Sequence, residues 1–198
     1  KLMRRKLQNI THFWVQDDAS AKYLQSLGIN QITVVGDSRF DRVYANAEYN
    51  KELPVVQTFK NNKKILVMGS AWPADVTLIE KSPTYKIIIA PHDLKFTFDL
   101  QNQFKCLLYS QADEKNVKDA QVLIIDNIGL LASIYKYADV AYIGGAFGRG
   151  LHNILEATIY GCPVIFGPKY QNYPEAKKLI QLGGAISVKN NKEFKYAV

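Results

Sequence analysis

Cysteine is scarce in this 198-residue chain, which has only Cys106 and Cys162, far apart and each within an apolar run. Two such residues cannot form the dense disulfide framework of a small secreted domain, so we expect buried thiols and a reducing, cytoplasmic setting. Long apolar runs are also missing, because stretches such as 87–90 and 122–125 fall far short of the roughly 20 residues that span a bilayer as a helix. The sequence therefore shows no transmembrane or signal segment.

Several nucleotide and metal motifs are absent as well. No GxGxxG follows the first apolar strand of the main domain, and no GxxxxGK[ST] phosphate loop occurs. Nothing has the Cys/His spacing of a zinc site, and no carboxylate pair is placed to hold a metal beside a diphosphate. We therefore expect neither a metal nor a resident cofactor, and a nucleotide would be held by backbone amides and side chains.

The chain has an excess of positive charge, but its basic residues are not concentrated in one segment. The net charge is +7, yet Lys and Arg are scattered over both ends of the chain instead of forming a stripe interleaved with aromatic residues. This distribution argues against nucleic acid as a partner and leaves room for an anionic substrate or an anionic membrane surface. A hydrophobic content of 47% with 12% aromatic residues is typical of a globular core.

From about residue 63 onward, apolar runs alternate with helix-like segments. This alternation is the pattern of βαβ units, and runs that are apolar throughout indicate strands covered on both faces of a parallel sheet. The predicted strands are 65–68, 85–90, 122–125, 140–143, 163–166 and 185–188. Helices are expected to begin at Pro73, near Gly129, at Asn153 and at Pro174.

The preceding residues predict a different unit. A strand at 13–16, a helix at 18–27 and a strand at 32–35 indicate the end of another α/β domain whose earlier strands are absent. The predicted organisation is residues 1–40 as the end of an N-terminal domain and the start of a hinge, 41–62 as a linker, and 63–198 as the C-terminal domain. We therefore expect a doubly wound α/β sheet with the remnant of a preceding α/β domain, and a piece of a larger two-domain protein.

Residues 142–156 are the most informative stretch, because an apolar strand runs into a turn with four glycines and then into a helix that carries Glu156. Glycines let backbone N–H groups approach an anion closely, and the positive end of a helix favours negative charge. Glu156 is expected about one turn inside that helix, where it can accept hydrogen bonds from sugar hydroxyls. The pattern predicts a phosphate and ribose site; the alternative is an ordinary strand-to-helix turn with Asn153 as its cap.

Other polar residues follow the neighbouring predicted strands, at the sheet edge where open α/β folds bind ligands. Ser70 follows the strand at 65–68, and His92 follows the strand at 85–90. Residues 126–129 come next along the chain, and their backbone could pair with the edge of a nucleobase. Each of these positions also has an ordinary structural interpretation, as a helix start, a structural histidine or a helix cap.

Taken together, the motifs resemble those of the 3-deoxy-D-manno-octulosonic acid (Kdo) transferases. The resemblance covers nearly the whole chain, and the order and spacing of the motifs make it much more specific than any one of them. The matching segments are FWVQD at 13–17, VGDSRFDRV at 35–43, GSAWP at 69–73, APH at 90–92, GGAF at 144–147, HNILE at 152–156, GP at 167–168 and NYPEA at 172–176.

This resemblance implies a GT-B glycosyltransferase, in which two Rossmann-like domains face a cleft and the C-terminal one binds the donor CMP-Kdo. The implied activity is transfer of Kdo to a lipid A precursor in lipopolysaccharide biosynthesis, at the cytoplasmic face of the inner membrane of a Gram-negative bacterium. In the family the general base, the acceptor site and the membrane anchor belong to the N-terminal domain. We therefore assign no catalytic residue in this chain and expect it to be inactive alone.

The resemblance also implies which residues meet the donor. Pro91 and Ile128-Gly129 would line the cytidine pocket, Asn153 and Glu156 would contact the phosphate or ribose, and Ser70 would face the sugar. The full predicted set is Ser70, Pro91, His92, Ile128, Gly129, Gly145, Gly150, His152, Asn153 and Glu156. This chain departs from the family pattern at three positions: His92 stands where many members have arginine, Leu130 where many have glutamate, and Leu151 where a second glycine is usual.

Two other functions remain open. A GT-B glycosyltransferase or epimerase that uses UDP-sugars would have the same fold, and a preference for uridine over cytidine nucleotides would identify it. A module that holds a nucleotide without transferring anything is the alternative from a different class, and a full-length protein inactive with CMP-Kdo and acceptor would favour it.

Overall fold

The computed structural model of the chain describes residues 6–49, 51–79 and 85–198. The chain divides into two compact units, Lys1–Ala45 and Asn46–Val198. No helix within the described ranges combines the length and the apolar character needed to cross a membrane.

The first unit contains a small parallel sheet. Strand β1, Phe13–Val15, and strand β2, Ile32–Val34, lie side by side with helix α1, Asp18–Ser26, between them in sequence. Asp17 caps this helix because its carboxylate accepts a 2.7 Å hydrogen bond from the N–H of Ser20. The strand, helix and second strand predicted for this region are thereby confirmed. Helix α2, Ser38–Glu48, follows and extends past the boundary between the units.

The second unit is built on a seven-stranded, wholly parallel sheet with the order β5-β6-β4-β3-β7-β8-β9. Without the edge strand β5, this order is the 3-2-1-4-5-6 arrangement of a doubly wound Rossmann sheet. The fold class predicted from the alternation of apolar runs and helices is therefore confirmed. The strands are β3 Lys64–Ala71, β4 Tyr85–Pro91, β5 Leu107–Leu108, β6 Val122–Ile124, β7 Val140–Ile143, β8 Val164–Phe166 and β9 Ala185–Ser187.

Short helices connect these strands on both faces of the sheet. They are α3 Pro54–Lys60, α4 Pro73–Val76, α5 Thr97–Gln103, α6 Leu131–Ile134, α7 Leu155–Thr158, α8 Pro174–Gln181 and α9 Asn191–Ala197, with 3₁₀ turns at Leu94–Phe96, Tyr109–Gln111 and Tyr135–Tyr137. The predicted helix starts at Pro73 and Pro174 are confirmed, as expected for proline in a first helical turn. Strand β5 and helix α5 were not predicted, because β5 has only two residues and α5 lacks an apolar stripe.

The central strands form the core. Val67 and Met68 of β3, Ile88 and Ile89 of β4, and Tyr142 of β7 are all fully buried. Strands covered on both faces cannot alternate apolar and polar residues, which explains why the sequence shows continuous apolar runs there.

Part of the predicted linker 41–62 packs into the second unit. In helix α3, Val56 and Phe59 have no exposed surface. The N–H of Leu53 donates a 2.8 Å hydrogen bond to the hydroxyl of Tyr137, and the ammonium of Lys60 lies 2.9 Å from a carboxylate oxygen of Asp139. The boundaries 1–40, 41–62 and 63–198 stay a prediction, but α3 is part of the C-terminal core in this structure.

We expect Phe59→Ala to destabilise the second unit by about 3–5 kcal/mol, because a large buried ring is removed from a close-packed site. Gln57→Ala, at an exposed position of the same helix, should change the free energy of unfolding by no more than about 0.5 kcal/mol. Denaturant unfolding followed by fluorescence measures both. Equal, small effects for the two variants would show that α3 does not belong to the core.

Candidate functional site

The candidate site lies at the carboxyl ends of β3 and β7, where the strand order of the sheet reverses. From β3 the chain continues to its neighbour β4 on one side, and from β7 it continues to β8 on the other, so a crevice opens between the two loops. The N–H of Gly144, directly after β7, donates a 2.9 Å hydrogen bond to the carbonyl of Gly69 in β3. Two of the sequence motifs therefore meet here.

The two backbones approach each other too closely for side chains. A Cβ on Gly144 would lie 2.2 Å from the carbonyl oxygen of Ser70, and a Cβ on Gly69 would lie 1.7 Å from the hydroxyl oxygen of Tyr135. Ser70 itself has a φ of +50°, in the left-handed region that a non-glycine residue rarely occupies. Such strain is typical of ligand-binding sites, where the surroundings impose a sparsely populated conformation.

A buried carboxylate holds the crevice together. Asp75 in α4 has no exposed surface, and one of its oxygens accepts hydrogen bonds from the N–H of Trp72 at 2.9 Å and the N–H of Gly145 at 3.0 Å. The other oxygen accepts a 2.7 Å hydrogen bond from the hydroxyl of Tyr142. Burial, followed by the charge of Asp75, raises the pKa of Tyr142, which keeps that hydroxyl protonated as a donor. Asp75 thus connects the loop after β3 to the loop after β7.

Five of the ten predicted site residues line one cavity of about 620 Å³. Ser70 reaches it from β3, Pro91 and His92 from the end of β4, and Ile128 and Gly129 from the loop after β6. The side chain of Ile128 is 88% exposed, so an apolar surface faces an open, partly polar cavity. We call this space the base cavity, because its size and apolar walls suit a planar nucleobase.

A second cavity of about 540 Å³ adjoins the base cavity. Trp72, Asp93 and Lys95 line both, and Gly145 and Arg149 line the second one alone. The two cavities together could hold a ligand with an apolar ring at one end and a polar group at the other, since the second is lined by the cations Lys95 and Arg149 and by the carboxylates Asp75, Asp93 and Asp99.

Three rings meet beside the cavities, and we call them the three-ring stack. The ring of His92 lies 4.4 Å from that of Trp72 and 4.4 Å from that of His152, centroid to centroid. The indole N–H of Trp72 donates a 3.1 Å hydrogen bond to Nε2 of His152. The guanidinium of Arg149 lies 5.1 Å from the centre of the Trp72 ring, within the range of a cation–π contact.

Burial lowers the pKa of His152, and the neighbouring His92 lowers it further, whereas the charge of Asp75 acts in the opposite direction. The net direction agrees with the hydrogen bond from Trp72, because an indole N–H can donate only to an unprotonated nitrogen. His152 is therefore a neutral ring in the folded protein near neutral pH.

Asn153 and Glu156 lie together at the start of α7. The amide of Asn153 donates a 3.1 Å hydrogen bond to a carboxylate oxygen of Glu156, while its own oxygen accepts one at 3.1 Å from the N–H of Leu155. Asn153 is thus both a cap and a partner of the carboxylate. Burial, followed by the charge of Glu156, raises the pKa of Tyr135, whose hydroxyl occupies the space above Gly69.

The glycine-rich turn differs from expectation. The N–H of Gly145 donates to Asp75, those of Gly148 and Gly150 both donate to the carbonyl of Gly145 at 3.0 Å, and that of His152 donates to the carbonyl of Gly144 at 3.2 Å. These amides are occupied within the protein because the turn folds back on itself. The predicted helix start at Asn153 is wrong, because the helix begins at Leu155. With four residues it has only a small dipole to favour an anion.

The remaining predicted residues lie around these contacts. His152, Asn153, Glu156 and Gly150 line neither of the two cavities. His152 touches the base cavity's His92, whereas a Cβ on Gly150 would meet the hydroxyl of Tyr173 at 2.7 Å. That these ten residues bind a donor stays a prediction.

The sequence analysis missed Asp75, Lys95 and Arg149 as site residues. Asp75 carried one usable signal, an acidic residue in the first turn after a helix-starting proline. Lys95 and Arg149 had none, because a single basic residue in a loop is common. In the described part of the chain, no group of three His, Cys, Asp or Glu side chains could hold a metal ion.

Comparison with known proteins finds similar chains, although no protein-family model matches this one. A 3-deoxy-D-manno-octulosonic acid transferase of Rickettsia typhi is 27% identical over 209 residues, which cover 98% of this chain and 45% of that protein. The corresponding transferase of Aquifex aeolicus is 29% identical over 141 residues, covering 66% of this chain and 40% of that protein. The resemblance to the Kdo transferases is confirmed.

Two further similar proteins show how much of this chain the resemblance covers. A bifunctional glycosyltransferase/methyltransferase of Fusobacterium nucleatum is 27% identical over 217 residues, covering all of this chain and 33% of that protein. The crystal structure of the C-terminal CMP-Kdo binding domain of WaaA from Acinetobacter baumannii matches with a TM-score of 0.62 at 19% identity, covering 81% of this chain and 88% of that one. The chain thus has the Rossmann-like fold of a GT-B C-terminal domain, and it spans less than half the length of these curated relatives.

We expect Gly144→Ala to destabilise the protein strongly, because the new methyl group would lie 2.2 Å from the carbonyl oxygen of Ser70. The backbone atoms of β3 cannot move aside without breaking the hydrogen bond between Gly144 and Gly69, so a loss of roughly 2 kcal/mol or more is expected. Gly148→Ala is the matched control in the same turn, since nothing lies within 4 Å of its Cβ position. Thermal unfolding that gave both variants the same midpoint would contradict the close approach.

The lowered pKa of His152 predicts that the stability of the protein decreases as the pH falls. Its folded-state pKa lies below the 6.5 of an ordinary histidine, so the unfolded chain binds more protons between the two values. The contribution of His152 to the free energy of unfolding is therefore complete above pH 6.5, and it is lost as the pH falls towards the pKa of His152 in the folded protein. NMR titration of the ring should give a pKa below 6.5, and His152→Gln should weaken the loss of stability on acidification. A pKa of His152 above 6.5 would contradict the conclusion that the folded protein buries its neutral ring.

Proposed function

We propose that this chain is the donor-binding part of a Kdo transferase and binds CMP-Kdo at the switch point of its sheet. The observation that carries the proposal is the base cavity, into which three separate strand ends bring Ser70, Pro91-His92 and Ile128-Gly129. These residues come from motifs far apart in sequence, and the sequence predicts all of them to contact the donor, with Ser70 facing its sugar. The relatives of the chain support the donor, since the structurally similar domain from A. baumannii is described as CMP-Kdo binding.

In this proposal the cytosine lies in the base cavity against the apolar surface of Ile128 and the ring of His92. Aromatic and apolar walls favour a planar base. The ribose and phosphate then point towards the carboxyl ends of β3 and β7, near Glu156. The Asn153 amide holds one oxygen of this carboxylate at 3.1 Å, and carboxylate oxygens accept hydrogen bonds from sugar hydroxyls. Because Glu156 lines neither cavity, we propose that the ribose extends past the base cavity to reach it.

The sugar and phosphate extend towards the second cavity. Kdo is a carboxylate and CMP carries one phosphate, so the donor presents two anionic groups. Lys95, which lines both cavities, and Arg149, which lines the second, are the cations on that path. Because Asp75, Asp93 and Asp99 line the second cavity as well, we propose that the anionic groups contact the two cations directly. Charge that develops on the phosphate as the anomeric bond breaks would be stabilised by these side chains, with the glycine amides contributing little because they are already hydrogen-bonded.

The whole reaction needs more than this chain. We propose that the complete protein transfers Kdo to a lipid A precursor at the cytoplasmic face of the inner membrane, with the acceptor site, the general base and the membrane association supplied by an N-terminal domain. On that basis this chain alone binds the donor without turning it over, since the domain that closes the cleft and excludes water is not part of it.

Departures from the family pattern fall at the base cavity and the adjoining turn. His92 occupies a position where arginine is common, and here its ring stacks against both Trp72 and His152. We propose that His92 and Trp72, which both line the base cavity, form part of its wall in this chain. Leu151 is buried, so its side chain packs into the protein and leaves the cavities open.

Calorimetric titration of CMP and UMP into the chain tests the proposal. We expect CMP to bind more tightly than UMP, and Glu156→Ala to weaken CMP binding by roughly tenfold, because a ribose contact to a charged group is lost. Glu114→Ala is the matched control, since Glu114 is exposed in the loop between β5 and β6 and should leave the affinity unchanged.

Each outcome decides between the alternatives. Preference for UMP would favour a UDP-sugar glycosyltransferase or epimerase. Cytidine preference together with a full-length protein that fails to transfer Kdo would favour a non-catalytic nucleotide-binding module. Binding of neither nucleotide to the folded chain would contradict a donor site formed by this domain alone.

A further inference from the structure

The hydrogen bond between Trp72 and His152 determines which ring nitrogen of His152 carries the proton. Indole is a donor only, and its N–H lies 3.1 Å from Nε2 of His152. Nε2 must therefore be unprotonated, and the neutral imidazole carries its single proton on Nδ1. In free histidine the opposite tautomer predominates, with the proton on Nε2, so the fold selects the less common form.

The surroundings of the ring preserve this state. His92 stacks against both Trp72 and His152 at 4.4 Å and therefore covers their hydrogen-bonded edge. Half-buried in this position, His152 does not gain a proton readily, because a protonated ring would direct an N–H of its own at the indole N–H.

The charged groups around the three-ring stack come from three elements. Asp75 in α4 favours protonation of His152, and His92 after β4 disfavours it. Arg149 from the glycine-rich turn lies over Trp72 and adds positive charge on that side. The balance leaves a neutral ring whose only N–H is on Nδ1.

We propose that Trp72 is a positioning residue that fixes His152 in the Nδ1–H tautomer, so that the ring, which lines neither cavity but stacks on the cavity residue His92, presents one N–H donor to the phosphate where the bound nucleotide extends past His92. A fixed neutral donor binds an anion without first having to take up a proton, so the contact would be the same from mildly acidic to neutral pH. The second half of this inference, the contact to phosphate, rests on the proposed function. The first half, the tautomer, concerns the ligand-free protein.

NMR of the ligand-free chain with ¹⁵N-labelled histidine tests the first half. Long-range ¹H–¹⁵N correlations distinguish a protonated from an unprotonated ring nitrogen, and we expect His152 to show a protonated Nδ1. Trp72→Phe keeps an aromatic ring in the stack but removes the N–H, so His152 should shift towards the ordinary mixture of tautomers and its pKa should rise. Trp14→Phe is the matched control, because Trp14 lies in β1 of the first unit and should leave the His152 signals unchanged.

A double-mutant cycle on CMP affinity tests the second half. Trp72→Phe should weaken CMP binding roughly threefold to tenfold, the range expected for one misplaced hydrogen-bond donor. If Trp72 acts through His152, the same substitution should have little further effect in a His152→Ala background. Retention of the far-UV circular dichroism spectrum establishes that each variant is folded.

The outcomes separate this inference from the proposed function. A protonated Nε2 in the ligand-free parent protein would overturn the positioning role of Trp72 whether or not CMP binds. Additive effects of Trp72→Phe and His152→Ala on CMP affinity would also overturn it, because Trp72 would then act on the ligand independently. A protonated Nδ1 in a protein that binds no CMP would uphold the tautomer and contradict the donor site.

Discussion

The buried carboxylate of Asp75 is the contact on which the architecture of the site depends. A charge without exposed surface is costly unless it is fully hydrogen-bonded, and Asp75 meets this requirement with one donor from the loop after β3, one from the loop after β7 and one from Tyr142. The same three hydrogen bonds that satisfy the carboxylate fix the two loops relative to each other. Removing either loop from its place would leave a buried charge unpaired.

This constraint explains the glycines and the strained serine at the crevice. Once the loops after β3 and β7 are held together, their backbones lie within hydrogen-bond distance at Gly69 and Gly144, and a Cβ on Gly144 would meet the carbonyl oxygen of Ser70. Gly69 is required for another reason, because the hydroxyl of Tyr135 occupies the place of its Cβ. Ser70 is forced into a left-handed conformation at the point where it reaches the base cavity. These fixed contacts place the cavity walls and the three-ring stack beside one another. The proposed donor site uses no metal.

The sequence predicted much of the second unit because its strands are continuous apolar runs between recognisable helix starts. The strands β3, β4, β6, β7, β8 and β9, and the helix starts at Pro73 and Pro174, lie where the pattern indicated. The start of the helix was predicted two residues too early, at Asn153, because a cap residue marks a helix start without fixing the length of the turn before it. Helix α3 was not predicted because its two buried residues, Val56 and Phe59, give too short a pattern to stand out from a polar segment.

Local sequence determined the parallel α/β sheet, the positions of the strand ends and the residues that follow them, since hydrophobic periodicity and helix-start residues act over short ranges. Motif order further indicated the Kdo transferase family and its donor-binding half. Only the tertiary structure decided that the glycine amides are used up within the turn, that Asp75 links two loops, and that Trp72, His92 and His152 stack. The contacts of Asp75 with Gly145 and of His92 with His152 depend on the order of strands in the sheet, which brings residues some 60 to 70 positions apart together. Short-range propensities carry no information about such pairings. The amide contacts within the glycine turn are local, but they depend on a backbone path that the composition of the turn does not specify.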